Sequence, residues 1–249
     1  ENQDYLSKRF SPKTENILAA KTENKLSFQE KMGLNKDEDA ILLYWPSRIN
    51  SSQKGIDSLI GCALDVLHNN KDVQIALVGE AQNGDSKYID IIQDLIKNAP
   101  PGSISHSKFD KKLSNLGYAS SSAIIGASKY EPFGLFWLQG VCAGAFGIGA
   151  ENGGAVDILR EFENDGNGFL YRNTDTAGLK YGIEKAITSI RQLKNNPEAY
   201  NKQMSKMMSQ ARSDFSESKM VENYLHVYNE AIARHDLFSH GYMPLVSMS

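Results

Sequence analysis

The sequence is poor in cysteine, carries no charge excess and lacks any long apolar run. Each shortage excludes something. Cys62 and Cys142 are the only two cysteines in 249 residues. Both sit among apolar neighbours, Ile60-Gly61-Cys62-Ala63-Leu64 and Val141-Cys142-Ala143, as reduced core thiols do. That excludes a disulfide scaffold and points to a reducing compartment. Neither cysteine has a second cysteine or histidine at zinc-ligand spacing. The five histidines, His68, His106, His226, His235 and His240, form no ligand pattern, so neither a metal nor a cofactor is expected. Lys and Arg number 27 against 30 Asp and Glu, for a formal net charge of −3. A nucleic-acid partner normally shows as a basic excess, so none is expected. No apolar run approaches the roughly 20 residues of a membrane helix, which argues against a membrane partner. Residues 1–15 are polar and of mixed charge, unlike a signal peptide, and a cytoplasmic location follows. There is no P-loop, and no Ser/His/Asp order puts a nucleophile on an elbow.

What is present is ordinary globular composition, 41% hydrophobic and 23% charged, with a regular alternation of patterns. Ala40–Trp45 is a strand-type run. Ile56, Leu59, Ile60, Ala63, Leu64 and Leu67 then fall on one helical stripe. Val73–Val78 is the next strand. Tyr88, Ile91, Ile92, Leu95 and Ile96 give a second helix, stopped by Pro100-Pro101. Short strands are expected at 103–105, 123–126, 146–148 and 168–171, with an apolar helix over 134–143. Strand–helix repeats of this length make a parallel sheet covered on both faces, so the fold class is α/β, a doubly wound, Rossmann-like parallel sheet with flanking helices. Before it, residues 14–33 read as a helix with Ile17, Leu26, Phe28 and Met32 as apolar members, and residues 1–13 read as extended. After it come three helical stripes: Leu179, Ile183, Ala186, Ile187 and Ile190; then Met204, Met207, Met208 and Ala211; then Met220, Tyr224, Leu225, Tyr228 and Ile232. Residues 235–249 carry no period and read as a tail.

Ligands of such sheets bind outside the carboxyl ends of the strands, so the loops that follow strands matter. After the first strand comes Ser47-Arg48-Ile49-Asn50-Ser51-Ser52-Gln53-Lys54-Gly55. Arg48 brings a planar fork and Lys54 a mobile point charge, and Gly55 opens a helix whose N-terminus favours anions. After 123–126 comes Ala127-Ser128-Lys129-Tyr130-Glu131-Pro132-Phe133-Gly134-Leu135. Glu131 can accept hydrogen bonds from sugar hydroxyls, and Gln139, two helical turns on, can address a ribose. After 146–148 comes Gly149-Ala150-Glu151-Asn152-Gly153-Gly154, a glycine pair able to approach a phosphate. Gly147-x-Gly149 starts like a dinucleotide fingerprint, but its third glycine is out of register and its strand is late. Asp37-Glu38-Asp39 spells an acid-x-acid motif, yet it precedes the first strand and so lies at the wrong edge. Cations, a carboxylate and a glycine pair at one edge ask for phosphates and a polyol together, that is, a nucleotide sugar.

These residues resemble the glycogen and starch synthases, glycosyltransferase family 5, of the GT-B fold. The resemblance rests on Ser47-Arg48 with Gln53-Lys54-Gly55, on Ser128-Lys129-Tyr130-Glu131-Pro132-Phe133-Gly134-Leu135, and on the helix Leu26-Ser-Phe-Gln-Glu-Lys-Met-Gly-Leu34. It runs from about residue 26 to about residue 234. It implies that Arg48 and Lys54 hold a diphosphate and that Glu131 contacts the donor glucose, these three being the catalytic candidates. Phe109 would pack on the base. Tyr130, Phe133, Gly134, Leu135, Gln139, Asn152, Gly153 and Gly154 would complete the substrate site. The implied donor is ADP-glucose, or UDP-glucose, and the implied reaction is transfer to the non-reducing end of an α-1,4-glucan with retention. Departures exist: Arg48 and Lys54 are one residue further apart than usual, Phe133 replaces Cys, Lys129 replaces Arg, and Asn152-Gly-Gly-Ala155 replaces Thr-Gly-Gly-Leu.

The resemblance also implies that this is the C-terminal, donor-binding half. Residues 1–13 would be an interdomain segment, 14–234 the nucleotide-sugar-binding domain with its C-terminal helices, and 235–249 a tail. The acceptor glucan would contact the missing N-terminal domain, and the isolated fragment would be inactive. The location would be plastidic in a plant or alga. Two other readings stand beside this one: another GT-B retaining transferase with a small or lipid-linked acceptor, and a non-catalytic nucleotide- or glucan-binding homologue.

Overall fold

The computed structural model describes residues 5–82, 84–164 and 166–239. Among them six strands form one parallel sheet: β1 Ile41–Pro46, β2 Val73–Val78, β3 Ile104–Ser107, β4 Ala123–Ile125, β5 Phe146–Ala150 and β6 Gly168–Tyr171. Their order is β3-β2-β1-β4-β5-β6. Leu43 of β1 lies opposite Ile75 of β2 on one side and Ala123 of β4 on the other. Chain direction across the sheet reverses between β1 and β4, so a crevice opens outside their carboxyl ends. β2, β4 and β5 are buried along their whole length, as continuous apolar runs require. The doubly wound α/β fold is therefore the one expected.

The helices are α1 Ile17–Met32, α2 Ile56–Asn69, α3 Lys87–Asn98, α4 Lys111–Ser120, α5 Leu135–Cys142, α6 Ala155–Ile158, α7 Thr176–Lys194, α8 Pro197–Asp214 and α9 Glu217–Ser239. The expected stripe of α7 is buried in full. On α2 the buried face is centred on Cys62 and Val66, which leaves Ile60 and Leu64 half-buried. On α3 only Ile92 and Leu95 are buried, and Ile91 faces outward. α4 has no counterpart in the sequence reading. Its buried face is Ser114, Leu116, Gly117, Tyr118, Ala119 and Ser120, too small and polar to make an apolar period.

α1 departs most from expectation. Leu26 lies off its buried face, and Lys21, Asn24, Lys25 and Gln29 lie on it. The reason is what they meet at the amino edge of the sheet. Lys21 Nζ donates to the carbonyls of Ala119 and Ala143, both at 3.0 Å, where α4 and α5 end. Lys25 Nζ donates to Ala40 O at 2.7 Å and also to Glu38 O. Gln29 Nε2 donates to Asp37 O at 2.9 Å and to Gln74 Oε1 at 2.8 Å. Helix ends and strand entries leave carbonyls without partners, and α1 supplies the donors. Burial pushes both lysines down to about 7, helped by the charge of Lys25 on Lys21 and of Lys194 on Lys25. Asp37-Glu38-Asp39 lies at this edge too, and Asp37 Oδ1 accepts the amides of Asp39 and Ala40 at 2.8 and 3.2 Å.

The chain divides into two units, residues 1–209 and 210–249. The sheet, its helices and most of α8 belong to the first, where Met204, Met207 and Met208 are buried. The second holds the end of α8 and all of α9. There Met220, Tyr224, Leu225, Tyr228 and Ile232 are exposed by more than half, so the third stripe is an apolar face and not core. A helical period marks a face and does not supply the layer that covers it. α9 continues through Ser239, so residues 235–239, the start of the expected tail, are helical. Residues 240–249, the rest of the expected tail, and 1–4 of the expected interdomain segment lie outside the described residues. Among the described residues no helix is long and apolar enough to cross a membrane.

Candidate active site at the carboxyl edge of the sheet

Three loops meet at the carboxyl ends of β1, β4 and β5, and glycines let them interlock. Gly55 caps α2 at φ +63°, and a Cβ there would lie 2.0 Å from the carbonyl oxygen of Ala127. The amide of Lys129 donates to Gln53 O at 2.9 Å, and Lys129 Nζ reaches Asp57 Oδ2 at 3.2 Å. On the other side, a Cβ on Gly153 would lie 2.3 Å from Glu131 O, and one on Gly154 would lie 2.0 Å from Phe133 O. Gly154 N donates to Glu131 O at 2.7 Å, and Asn152 Nδ2 donates to Lys129 O at 3.2 Å. Gly153-Gly154, the expected phosphate cradle, stands at this junction. The Gly154 amide is already engaged, and the observed role of the pair is to let two backbones touch. α6, which follows, is only four residues long.

Lys54 and Glu131 come together across 77 residues of sequence. Lys54 Nζ donates to Glu131 Oε2 in a close ion pair, and their side chains are only 10% and 12% exposed. Ser128, itself buried, donates its hydroxyl to the same Oε2 at 3.3 Å. The ammonium also lies 5.7 Å from the centroid of the Phe136 ring. Lys54 is therefore a pinned cation and not the mobile one expected.

Arg48 takes a different position. It is exposed and lines an open cleft of about 530 Å³, with Phe109, Gln139 and Lys111, outside β1 and β2. Glu80, Ser114, Asn115 and Tyr118 also line it. The cleft thus gathers Arg48, Phe109 and Gln139 from three separate segments, while Lys54 and Glu131 pair in the adjoining loops. Gln139 is exposed and not packed inside its helix. Tyr130, Phe133 and Leu135 are exposed around Glu131, at 59%, 41% and 62%. Gly134 caps α5 at φ +91°. Sequence reading missed Ser128 as a partner of Glu131, although it quoted the residue. It also missed Glu80, Lys111 and Asn115, which carry no motif and are gathered only by the fold.

Behind the loops, Trp137 fills a slot made of glycine. Cβ atoms on Gly126, Gly134 and Gly149 would fall 2.1, 2.3 and 2.7 Å from its ring. Its Nε1 donates to Ile148 O at 2.9 Å. Gly149 therefore serves packing, and so does Gly147, where a Cβ would meet Leu159 at 2.3 Å. Among the described residues no group of three or more His, Cys, Asp or Glu could hold a metal ion.

Comparison with known proteins follows the same lines. Residues 27–212 match the family model of glycosyl transferases group 1. The glycogen synthase of Clostridium botulinum (strain Alaska E43 / Type E3) is 30% identical over 233 residues, covering 89% of this chain and 46% of that protein. The glycogen synthase of Petrotoga mobilis is 33% identical over 215 residues, covering 85% and 42%. The chain thus spans about half the length of the curated relatives it matches. Among solved structures, the catalytic domain of starch synthase IV from Arabidopsis thaliana, bound to ADP and acarbose, superposes with a TM-score of 0.77 at 24% identity, covering 93% of this chain and 46% of that one. Anabaena Alr3699/HepE in complex with UDP and glucose gives 0.62 at 17%, covering 83% and 52%. The structural likenesses speak for the fold, and the family model speaks for descent: the chain belongs to the glycosyl transferases group 1 family.

Proposed function

We propose that the chain is the donor-binding half of a glycogen- or starch-synthase-type enzyme, which moves glucose from ADP-glucose to the non-reducing end of an α-1,4-glucan with retention of configuration. The observation that carries this reading is the Lys54–Glu131 pair, fixed between interlocked loops at the sheet edge where Arg48, Phe109 and Gln139 share a cleft. Phe109 would pack on the base and Gln139 would address the ribose. Arg48 and Lys54 would meet the diphosphate. Glu131 would take the donor glucose, with Tyr130, Phe133, Gly134, Leu135, Asn152, Gly153 and Gly154 around it.

The chemistry follows from charge. As the bond from the sugar to the diphosphate lengthens, negative charge grows on the leaving oxygen. Fixed cations in a partly dry site stabilise that charge far better than water does, because they need not reorient. Lys54 is already oriented by Glu131. Glu131 uses Oε2 for Lys54 and Ser128, which leaves Oε1 to accept a sugar hydroxyl. The relatives are about twice as long, which supports a facing half that brings the acceptor contacts and closes the cleft against water. Residues 1–13 would lead in from that half.

Calorimetry tests the reading directly. ADP is expected to bind more tightly than UDP, and Arg48→Ala or Lys54→Ala is expected to weaken ADP by about tenfold or more, as losing a charged hydrogen-bond partner does. The 249-residue chain alone is expected to extend no glucan. Absence of any nucleotide binding, or vigorous glucan extension by this chain, would sink the proposal. Normal ADP binding by both variants would favour the non-catalytic homologue.

A further inference from the structure

Asp85 has no place in the nucleotide reading, yet its carboxylate grips the loop that carries both cations. It lies half-buried between β2 and α3. Its Oδ2 accepts from Asn50 Nδ2 at 3.2 Å, and its Oδ1 accepts from Ser51 Oγ at 3.1 Å. Asn50 turns its own Oδ1 the other way, where it accepts the amide of Gln53 at 2.8 Å and the hydroxyl of Ser52 at 3.0 Å. A side-chain oxygen closing a turn in this way fixes the backbone that follows it. Gln53 O then takes the amide of Lys129 at 2.9 Å, and the next residue, Lys54, reaches Glu131. Backbone bonds run alongside, from Ile49 N to Glu80 O at 2.8 Å and from Gln82 N to Ile49 O at 3.2 Å. An unbroken series of contacts thus joins the loop after β2, through Asn50 and Gln53, to the loop after β4.

We infer that Asp85 is a positioning residue: by clamping Asn50 and Ser51 it fixes the turn that seats Lys54 on Glu131 and holds Arg48 at the cleft. Its removal takes away the outer anchor of the turn. The inner bond from Gln53 N to Asn50 and the backbone pairs of Ile49 remain, so the fold survives while the cations lose their register. The defect therefore falls on phosphate recognition and spares the rest of the ligand. Only the ligand arm of the test rests on the nucleotide reading.

Two measurements decide it. The first is labelling of Lys54 with an amine-acylating reagent, read by mass spectrometry. Lys54 is 8% exposed, so slow labelling is expected in the unaltered chain and markedly faster labelling in Asp85→Ala. The second is binding of ADP by calorimetry and of adenosine by NMR titration. Asp85→Ala is expected to weaken ADP about tenfold, the order a displaced binding group costs, and to leave adenosine unchanged. Asp85→Asn keeps an acceptor for Ser51 but sets an amide N–H against the Asn50 Nδ2 donor, so it is expected to show both effects at intermediate size, and it serves alone if Asp85→Ala does not fold. Unchanged Lys54 labelling in the Ala variant, or equal weakening of ADP and adenosine, would overturn the inference. If the unaltered chain binds no ADP, the nucleotide reading falls, and the labelling still decides whether Asp85 positions Lys54.

Discussion

Lys54 and Glu131 make the most consequential pair in the chain, because each neutralises a charge that the other's burial makes costly. Taking one partner of a largely buried pair away leaves an uncompensated charge, which costs on the order of 3 kcal/mol, whereas removing both costs much less. Lys54→Met and Glu131→Gln are each expected to destabilise the chain to about that extent, and the double variant to recover a good part of it. Urea unfolding of the four proteins measures the coupling, and strictly additive losses would contradict it. At this scale the sequence was informative about residue types and silent about their state. A carboxylate after β4 and two cations after β1 were legible from position alone. That Lys54 is pinned while Arg48 is exposed was not, since a loop lysine ordinarily keeps its ammonium in water. Ser128, Glu80 and Lys111 stayed hidden because contacts between distant segments leave no local pattern.

At the scale of elements, those with an apolar run or period were legible, and the buried polar faces were not. β1, β2, α2 and α7 bury large apolar side chains at regular spacing, and their apolar pattern showed it. α4 buries serine and glycine among its apolar members and was not read as a helix, whereas α1 was read as a helix over 14–33 but its buried lysine, asparagine and glutamine were not. α1 carries a measurable consequence. Lys21 and Lys25 ionise at about 7 in the folded chain against 10.5 as the ordinary value. Between those limits the unfolded chain holds protons that the folded chain has released, so stability rises with pH there and is lost as pH falls through about 7. Burial acts oppositely on Cys62, raised to about 12 from 9.0, and on Tyr44, Tyr118, Tyr171 and Tyr200, all raised from 10.0. Those groups withdraw stability above about pH 9. Thermal midpoints are therefore expected to climb from pH 7 toward 9 and then to fall. Lys21→Met is expected to flatten the climb, and an equal slope in that variant would rule Lys21 out as its source.

At the scale of the whole molecule, family and fold class were both legible, since motif residues and strand–helix alternation survive at about 30% identity. The extent of the compact body was not. Its boundary falls at Ser209, while the amphipathic period continues well past it. α9 shows why, because every side chain of its expected stripe is more than half exposed. Helices without buried apolar contacts open at little free-energy cost. Amide hydrogens of α9 are expected to exchange far faster than those of α7, and removal of residues 217–249 is expected to leave the thermal midpoint where it was. Slow exchange in α9, or a clear fall on truncation, would show that its apolar face is covered in solution.

The interlocked loops also bear on how such a protein can change over generations. Gly55 against Ala127, Gly153 against Glu131 and Gly154 against Phe133 admit no added atom, so a side chain at any of the three glycines displaces two loops at once. On the outer wall of the cleft, Gly79 is held the same way, a Cβ there lying 1.8 Å from Ser47 O, whereas Phe109, Lys111, Glu80 and Asn115 beside it already carry side chains. Drift in ligand preference therefore has one permissive face and one forbidden one. Diversity in a lineage built on this chain should accumulate along the wall, around an inner clasp that stays put.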